Sequence, residues 1–164
     1  QTQLTDNLSA NGALTYTDAY YPNDCAPGGF DPSNPVNRLC GFKLTNAPEW
    51  VGLIGLTWES ALDNGMPYFL TGTVRSESER RTSTQAVDDT GARLADDIQD
   101  ANSKLNLRAG ISTADDRWTF EIWGNNVTDE QTKNVTFNMP LRGTARGVFI
   151  QDPATYGVTL RTRF

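Results

Sequence analysis

Six stretches of this 164-residue chain alternate apolar and polar side chains with a period of two. "LSANGALTYTDAYY" sets Leu8, Ala10, Gly12, Leu14, Tyr16 and Tyr20 against Ser9, Asn11, Thr15 and Thr17. "WVGLIGLTWE" aligns Trp50, Ile54, Leu56 and Trp58, with Val51 and Leu53 blurring the polar side. "PYFLTGTVRS" opposes Tyr68, Leu70 and Val74 to Thr71, Thr73 and Arg75. "SKLNLRAGIS" opposes Leu105, Leu107, Ala109 and Ile111 to Asn106 and Arg108. "RWTFEIWGN" opposes Trp118, Phe120 and Ile122 to Thr119, Glu121 and Asn125. The final stretch, "PATYGVTLRTRF", carries Tyr156, Val158, Leu160 and Phe164 on one side, with Thr162 among them, and Thr155, Gly157, Thr159, Arg161 and Arg163 on the other. Successive side chains of a strand point to opposite faces, so each stretch reads as a strand with one apolar and one polar face. Six such runs predict an antiparallel, all-β architecture.

The connections alternate in length. A long segment, Pro22 to Glu49, joins the first two strands, and the short turn "SALDNGM", with Asn64-Gly65 as its turn pair, joins the next two. A long acidic stretch, "SESERRTSTQAVDDTGARLADDIQDAN", precedes the fourth strand. "TADD" then turns into the fifth, and "NVTDEQTKNVTFNMPLRGTARGVFIQD" leads to the last. Long connections on one side and short turns on the other are the wiring of an up-and-down transmembrane β-barrel in an outer membrane. Aromatics near strand ends (Tyr20, Trp50, Trp58, Tyr68, Trp118, Tyr156) suit the girdles of such a barrel. The opposite faces carry Arg75, Arg108, Glu121, Arg161 and Arg163, which a wet lumen accommodates. Two alternatives share the pattern. A soluble β-sandwich, such as a carbohydrate-binding module, alternates in the same way with its apolar faces inward. A complete small barrel with a structural or adhesion role would close with eight strands, and "NVTFNMP" and "RGVFIQD" could supply two more. The preferred reading makes those two segments strand extensions beyond the membrane, turning at "LRGTARG".

Composition prunes the chemistry. A net charge of −6 and a pI near 4.6 argue against nucleic acid as a partner. There is no histidine, which removes Ser-His-Asp and Cys-His nucleophile systems and histidine-based metal sites. No dinucleotide or phosphate-loop glycine motif and no CxxC occurs. The chain therefore reads as neither an enzyme nor a cofactor carrier. No apolar run is long enough for a membrane-spanning helix, and no signal peptide is evident. The opening on Gln1 rather than Met points to a processed product or a piece of something longer.

"WTFEIWGNNVTDEQ" followed by "PATYGVTLRTRF" resembles the closing strands of TonB-dependent outer-membrane receptors. There a Trp-rich strand runs into an Asn-Leu/Val-Thr-Asp motif, matched here by Asn126-Val127-Thr128-Asp129, and a Pro-x-Thr-Tyr-Gly strand ends on Phe. "NAPEWVGLIGLTW" resembles an earlier descending strand of that family and "LSANGALTYTDAYY" the ascending strand before it. The resemblance implies residues 1–164 as the C-terminal part of a barrel of about 22 strands. The plug domain and the TonB-engaging segment have no counterpart here. It implies a receptor in the bacterial outer membrane for a scarce nutrient such as a siderophore, vitamin or oligosaccharide. Its partners would be outer-membrane lipid and lipopolysaccharide, the barrel-assembly machinery, TonB through the N-terminal region, and a small ligand. Tyr156, Val158, Leu160 and Phe164 match the family's C-terminal assembly signal. Phe164 is expected to end a paired strand with its ring on the outward face.

The remaining residues follow from that compartment. Cys25 and Cys40, in the first long loop, are expected to be bridged, because such proteins fold through an oxidising periplasm. Asp88, Asp89, Asp96, Asp97 and Asp100 could gather around a divalent cation, but no EF-hand spacing is present, and a solvated or lipopolysaccharide-facing loop is the simpler reading. "ARLADDIQDANSKL" fits a helical period through Leu94, Ile98, Ala101 and Leu105. Asn126 and Asn134 stand in formal glycosylation triplets, which carry little meaning in a bacterial outer-membrane protein. Arg75, Arg108, Glu121, Arg161 and Arg163 read as a paired polar wall of the lumen against the plug, and no residue is assigned to ligand. The three long connections are expected on one side, with the Asn64-Gly65 and Asp115-Asp116 turns and Phe164 on the other.

Overall fold

The computed structural model describes residues 2–25, 28–29, 31, 33–34, 36–88, 90–142 and 145–163. Its main element is one antiparallel sheet of seven strands: β1 (Thr2–Thr5), β2 (Leu8–Tyr16), β3 (Trp50–Ala61), β4 (Pro67–Glu77), β7 (Asn102–Ser112), β8 (Trp118–Asn125) and β11 (Thr155–Thr162). They lie in that order, each beside its sequence neighbour in the sheet. Two small sheets stand apart from it: β5 (Arg80–Arg81) with β6 (Ile98–Gln99), and β9 (Lys133–Asn138) with β10 (Arg146–Ile150).

Register makes the alternation of six strands coincide. Leu14 faces Gly52, Gly12 faces Ile54 and Ala10 faces Leu56; Ile54 and Leu56 then face Val74 and Gly72. The row continues through Leu105 and Leu107 to Gly124 and Tyr156, and the next through Ala109, Ile122 and Val158. A slip of one residue at any pair would turn one strand's apolar set to the polar side, so the pattern selects this register. The result is one continuous apolar face, and it is uncovered: Leu14 is 71% exposed and Val158 70%. A soluble protein rarely leaves a patch of this extent in water. A sandwich would lay a second sheet against it; both small sheets are instead built from the long connections.

Aromatics bound that face at both ends. Tyr16 and Trp50 pair at the loop end, with ring centroids 4.6 Å apart, and Tyr156 stands at the same end of β11. Trp58, Tyr68 and Trp118 stand at the turn end. Trp50 and Trp58 are eight residues apart on β3. That is about 27 Å along a strand, or about 20 Å of height at the usual barrel tilt. An apolar band of this height is close to the outward-facing band of transmembrane β-barrels, about 25 Å tall.

The short turns are made locally. At Leu62–Met66, Gly65 takes φ 80°, the Leu62 amide donates to the Met66 carbonyl, and Asn64 Oδ1 accepts from the Met66 amide. At the other turn Asp116 is left-handed, while Asp115 accepts from the Thr113 hydroxyl at 2.6 Å. Because every pairing is antiparallel, both turns lie at one end of the sheet and all three long connections at the other.

Three details differ from the sequence reading. The main sheet has a seventh strand, β1, whose "TQLT" offers a single apolar residue and no readable alternation. The first strand ends at Tyr16, and Tyr20 instead bridges to Lys43 inside the loop. The helical period of residues 92–105 yields only one 3-10 turn, Ala95–Asp97, before β6. Tertiary partners override it: the Asp97 carbonyl accepts from the Thr82 amide, and its carboxylate from Arg146. The "NVTF" and "RGVF" segments do form strands, β9 and β10, but pair only with each other. The expectations for Phe164, Asp89 and Gln1 fall outside the described residues.

Candidate functional site

Two regions carry chemistry: the polar face of the sheet and the cap built by the long loops. On the polar face, Thr57, Thr71, Arg108, Trp123 and Gly157 form one cross-strand row. The Thr57 and Thr71 hydroxyls are 3.2 Å apart, and Trp123 Nε1 donates to Thr159 Oγ1 at 3.3 Å. Trp123 lies flat because its cross-strand neighbour is a glycine; a Cβ at Gly157 would collide with the indole ring. Thr71, Thr73, Asn106, Arg108, Trp123 and Asn125 line a groove of about 380 Å³. A wall of hydroxyls, amides, one indole and one guanidinium can hydrogen-bond and stack on a polar molecule, but it offers no activated nucleophile or general base.

Charge on this face is organised around two nearly buried carboxylates. Glu121 is 2% exposed, with Arg108 Nη2 at 2.7 Å and Arg161 Nη1 at 3.8 Å. The Arg108 contact is an ion pair rather than a directed hydrogen bond, since Oε1 receives no well-aligned donor. Glu77 accepts from Arg75 at 2.7 Å, Arg80 at 3.0 Å and Asn102 at 3.1 Å. Arg75, Arg108, Glu121 and Arg161 thus share the polar face of the sheet, and Arg161 and Arg163 line one cavity at its turn end. Tyr156, Val158 and Leu160 stand on the apolar face, all well exposed.

The loop cap holds most of the buried polar groups. Arg80, in the second connection, reaches the other two, through Asn46 Oδ1 at 2.7 Å and the Lys133 carbonyl at 2.8 Å, and also holds Glu77 at the end of β4. Thr82, fully buried, donates its amide and hydroxyl to the Asp97 carbonyl and shares a 2.9 Å contact with the Thr136 hydroxyl. Arg146 forks onto the Asp97 carboxylate, Nε to Oδ1 at 3.0 Å and Nη2 to Oδ2, with Ser83, Gln85 and Asn138 around it. Lys133 donates Nζ to the carbonyls of Asp96 and Ile98 and its amide to Gln99. These bonds tie the β9–β10 hairpin to the acidic stretch. Asn46 and Thr45 fasten the first loop to the same stretch, through the Arg81 and Ser83 carbonyls. Cys25 and Cys40 are joined by a disulfide, with Cα atoms 5.7 Å apart.

Arg81 is the exception in this network. It is 4% exposed and lies 4.9 Å over the Phe42 ring, yet its Nε and Nη1 find no acceptor. Burial, with Arg93 nearby, pushes its guanidinium below the usual arginine value. Among the described residues, Asp88 and Asp97 of the acidic stretch are bound within the protein. Asp88 accepts from Thr90 and Ala92, Asp97 from Arg146, and no metal-holding group of three or more occurs among the described residues. Sequence reasoning missed Glu77, Arg80, Arg81, Thr82, Asp97 as an ion-pair partner, and Arg146. The charged ones have as their only sequence signal charge within a stretch otherwise rich in Ser, Thr and Asp, and Thr82 has none.

No family model and no curated protein matches this chain. Its fold does match a solved structure, the crystal structure of the ferric yersiniabactin uptake receptor FyuA from Yersinia pestis, with a TM-score of 0.61 at 14% identity. The match covers 76% of this chain and 18% of that one, so the chain spans less than a fifth of the receptor's length. At this identity the likeness concerns fold: an antiparallel sheet of β-barrel type, here open.

Proposed function

We propose that this chain is a section of the wall and outer loops of a TonB-dependent receptor in the bacterial outer membrane. The receptor takes up a scarce nutrient such as a siderophore, vitamin or oligosaccharide. The observation that carries the reading is the two-faced sheet. Its apolar face is bounded by aromatic rows at both ends, its polar face is ion-paired, and every long loop lies at one end. Lipid covers the first face, and the second faces a wet, plugged lumen whose wall includes Arg75, Arg108, Glu121, Arg161 and Arg163. The unpaired outer edges of β1 and β11 would continue into further strands, and a plug and TonB-engaging segment would complete the transporter. Tyr156, Val158, Leu160 and Phe164 serve in delivery to the assembly machinery. No catalytic role is proposed.

The test is made in the source cells, with and without this protein and with and without TonB. Accumulation of radio-iron siderophore complexes, cobalamin and oligosaccharides is measured, and the protein is located by fractionation. Loss of uptake of one substrate in both deletions, with the protein in the outer membrane, supports the reading. Recovery of the protein in a soluble fraction without detergent refutes it.

A further inference from the structure

We propose that the turn-side end of the polar face is a site for a small oxyanion, a carboxylate or phosphate group. Arg161, near the end of β11, and Arg163, just past it, line the same cavity as Arg117, from the β7–β8 turn. The Arg163 amide donates to the Arg117 carbonyl at 2.9 Å and fixes the two segments side by side. Ser112 and Thr119 add hydroxyls 2.9 Å apart to the lining; one must donate to the other, which leaves the second hydroxyl hydrogen free for an acceptor.

The cations here are under-compensated. Asp116 is the single carboxylate lining the cavity. Asp115, beside it, accepts from the Thr113 hydroxyl and the Arg117 amide. Glu121, one row up, is held by Arg108 at 2.7 Å and reaches Arg161 only at 3.8 Å. Among the described residues, the Arg117 and Arg163 side chains form no ion pair and no hydrogen bond. With Arg161 shared with Glu121 and Asp116 the one carboxylate in the lining, Arg117 and Arg163 leave a local excess of positive charge in a chain of net charge −6. Guanidinium forks bind carboxylate and phosphate in a bidentate manner, and their affinity rises where the walls exclude part of the solvent. The cavity, about 230 Å³, suits one such group rather than a whole nutrient molecule. Two sources share this chemistry: a Glu or Asp side chain of a peptide segment lying along the polar face, and free phosphate. The inference rests on side-chain geometry alone and stands apart from the transport reading.

The experiment uses the full-length protein in detergent at low salt, titrated by calorimetry with inorganic phosphate and, separately, with a hexaglutamate peptide. Parent protein is compared with Arg117→Gln/Arg163→Gln and with the charge-matched control Arg93→Gln/Arg142→Gln, placed in the loops at the other end. The first variant is expected to weaken binding about tenfold or more, and the control to leave it unchanged. Tighter binding of phosphate identifies the free anion as the source, and tighter binding of the peptide an acidic segment. Arg163→Lys, which keeps the charge and loses the fork, is expected to fall between parent and double variant, and it decides the matter if the double variant does not fold. Absence of binding of both probes at millimolar concentration overturns the site, as does an equal loss in the control.

Discussion

Replacing Asp97 by Asn neutralises the carboxylate on which Arg146 forks while keeping the side chain's size. The Asp97 carboxylate is fully buried and the Arg146 side chain is 13% exposed, so solvent screens the pair little. Breaking a buried ion pair by removing one partner typically costs about 3–5 kcal/mol, because the remaining charge is left uncompensated. Arg146 keeps Ser83 at 3.2 Å, Gln85 at 3.4 Å and Asn138 as acceptors, which offsets part of that loss. A cost of about 2–3 kcal/mol follows for opening the cap, equivalent to a rise of roughly 30-fold to 150-fold in its open population. The change is local, since Asp97 touches loops and not the main sheet. Amide hydrogen exchange reads it directly. The Thr82 amide donates to Asp97 and the Thr136 amide to Thr82, and both are expected to exchange faster by that factor. The Leu107 and Ile122 amides, inside the main sheet, are expected to be unchanged. In a double-mutant cycle with Arg146→Met, the combined loss is expected to be smaller than the sum of the single losses. A change below about threefold at Thr82 and Thr136, or an equal loss at Leu107 and Ile122, refutes the claim that this pair clamps the cap.

Val158→Arg puts a charge in the middle of the apolar face and is expected to lower stability in lipid vesicles by about 2–4 kcal/mol, whereas Thr73→Arg, on the polar face, changes it little; urea titration separates the two. Arg81→Met keeps an unbranched chain over Phe42 and removes two buried nitrogens whose hydrogens lack acceptors. Exchange at the Asn46 amide, which donates to the Arg81 carbonyl, is expected to be unchanged or slower, and a loss above about 2 kcal/mol would mean that the guanidinium has an unseen partner. Asp88 is held below the ordinary carboxylate range, first by the Thr90 hydroxyl and then by the Ala92 and Thr90 amides. Its lowered folded value means that the turn's added stability is fully present above the unfolded pKa of about 3.9 and is lost as pH falls through the folded value. Protection of the Thr90 and Ala92 amides, corrected for intrinsic rate, is therefore expected to be flat from neutral pH to about 5 and to drop below about 4; a drop nearer neutrality would contradict it.

The sheet was legible in the sequence because its determinants are local and repeated. Alternation in six strands specifies two faces, Asn64-Gly65 and the Asp115-Asp116 segment specify the turns, and antiparallel parity then gathers the long connections at one end. The bridge between Cys25 and Cys40, the chain's two cysteines, was also legible, because the expected oxidising compartment favours their pairing. The loop cap was not, because its order comes from contacts between residues far apart in sequence. Thr82 meets Thr136 across 54 residues, Asp97 meets Arg146 across 49, and Arg80 meets the Lys133 carbonyl across 53. No periodicity encodes such pairs, and the helical period of residues 92–105, which admits a short loop helix, yields there only the 3-10 turn Ala95–Asp97. β1 was hidden for a different reason: four residues with one apolar side chain carry no pattern, and only the open edge of β2 gives them a place. The Arg117, Arg161 and Arg163 cluster combines both cases. The alternation sets Arg161 and Arg163 on one face, but only the pairing of β11 with β8 brings the β7–β8 turn, and Arg117 with it, alongside them.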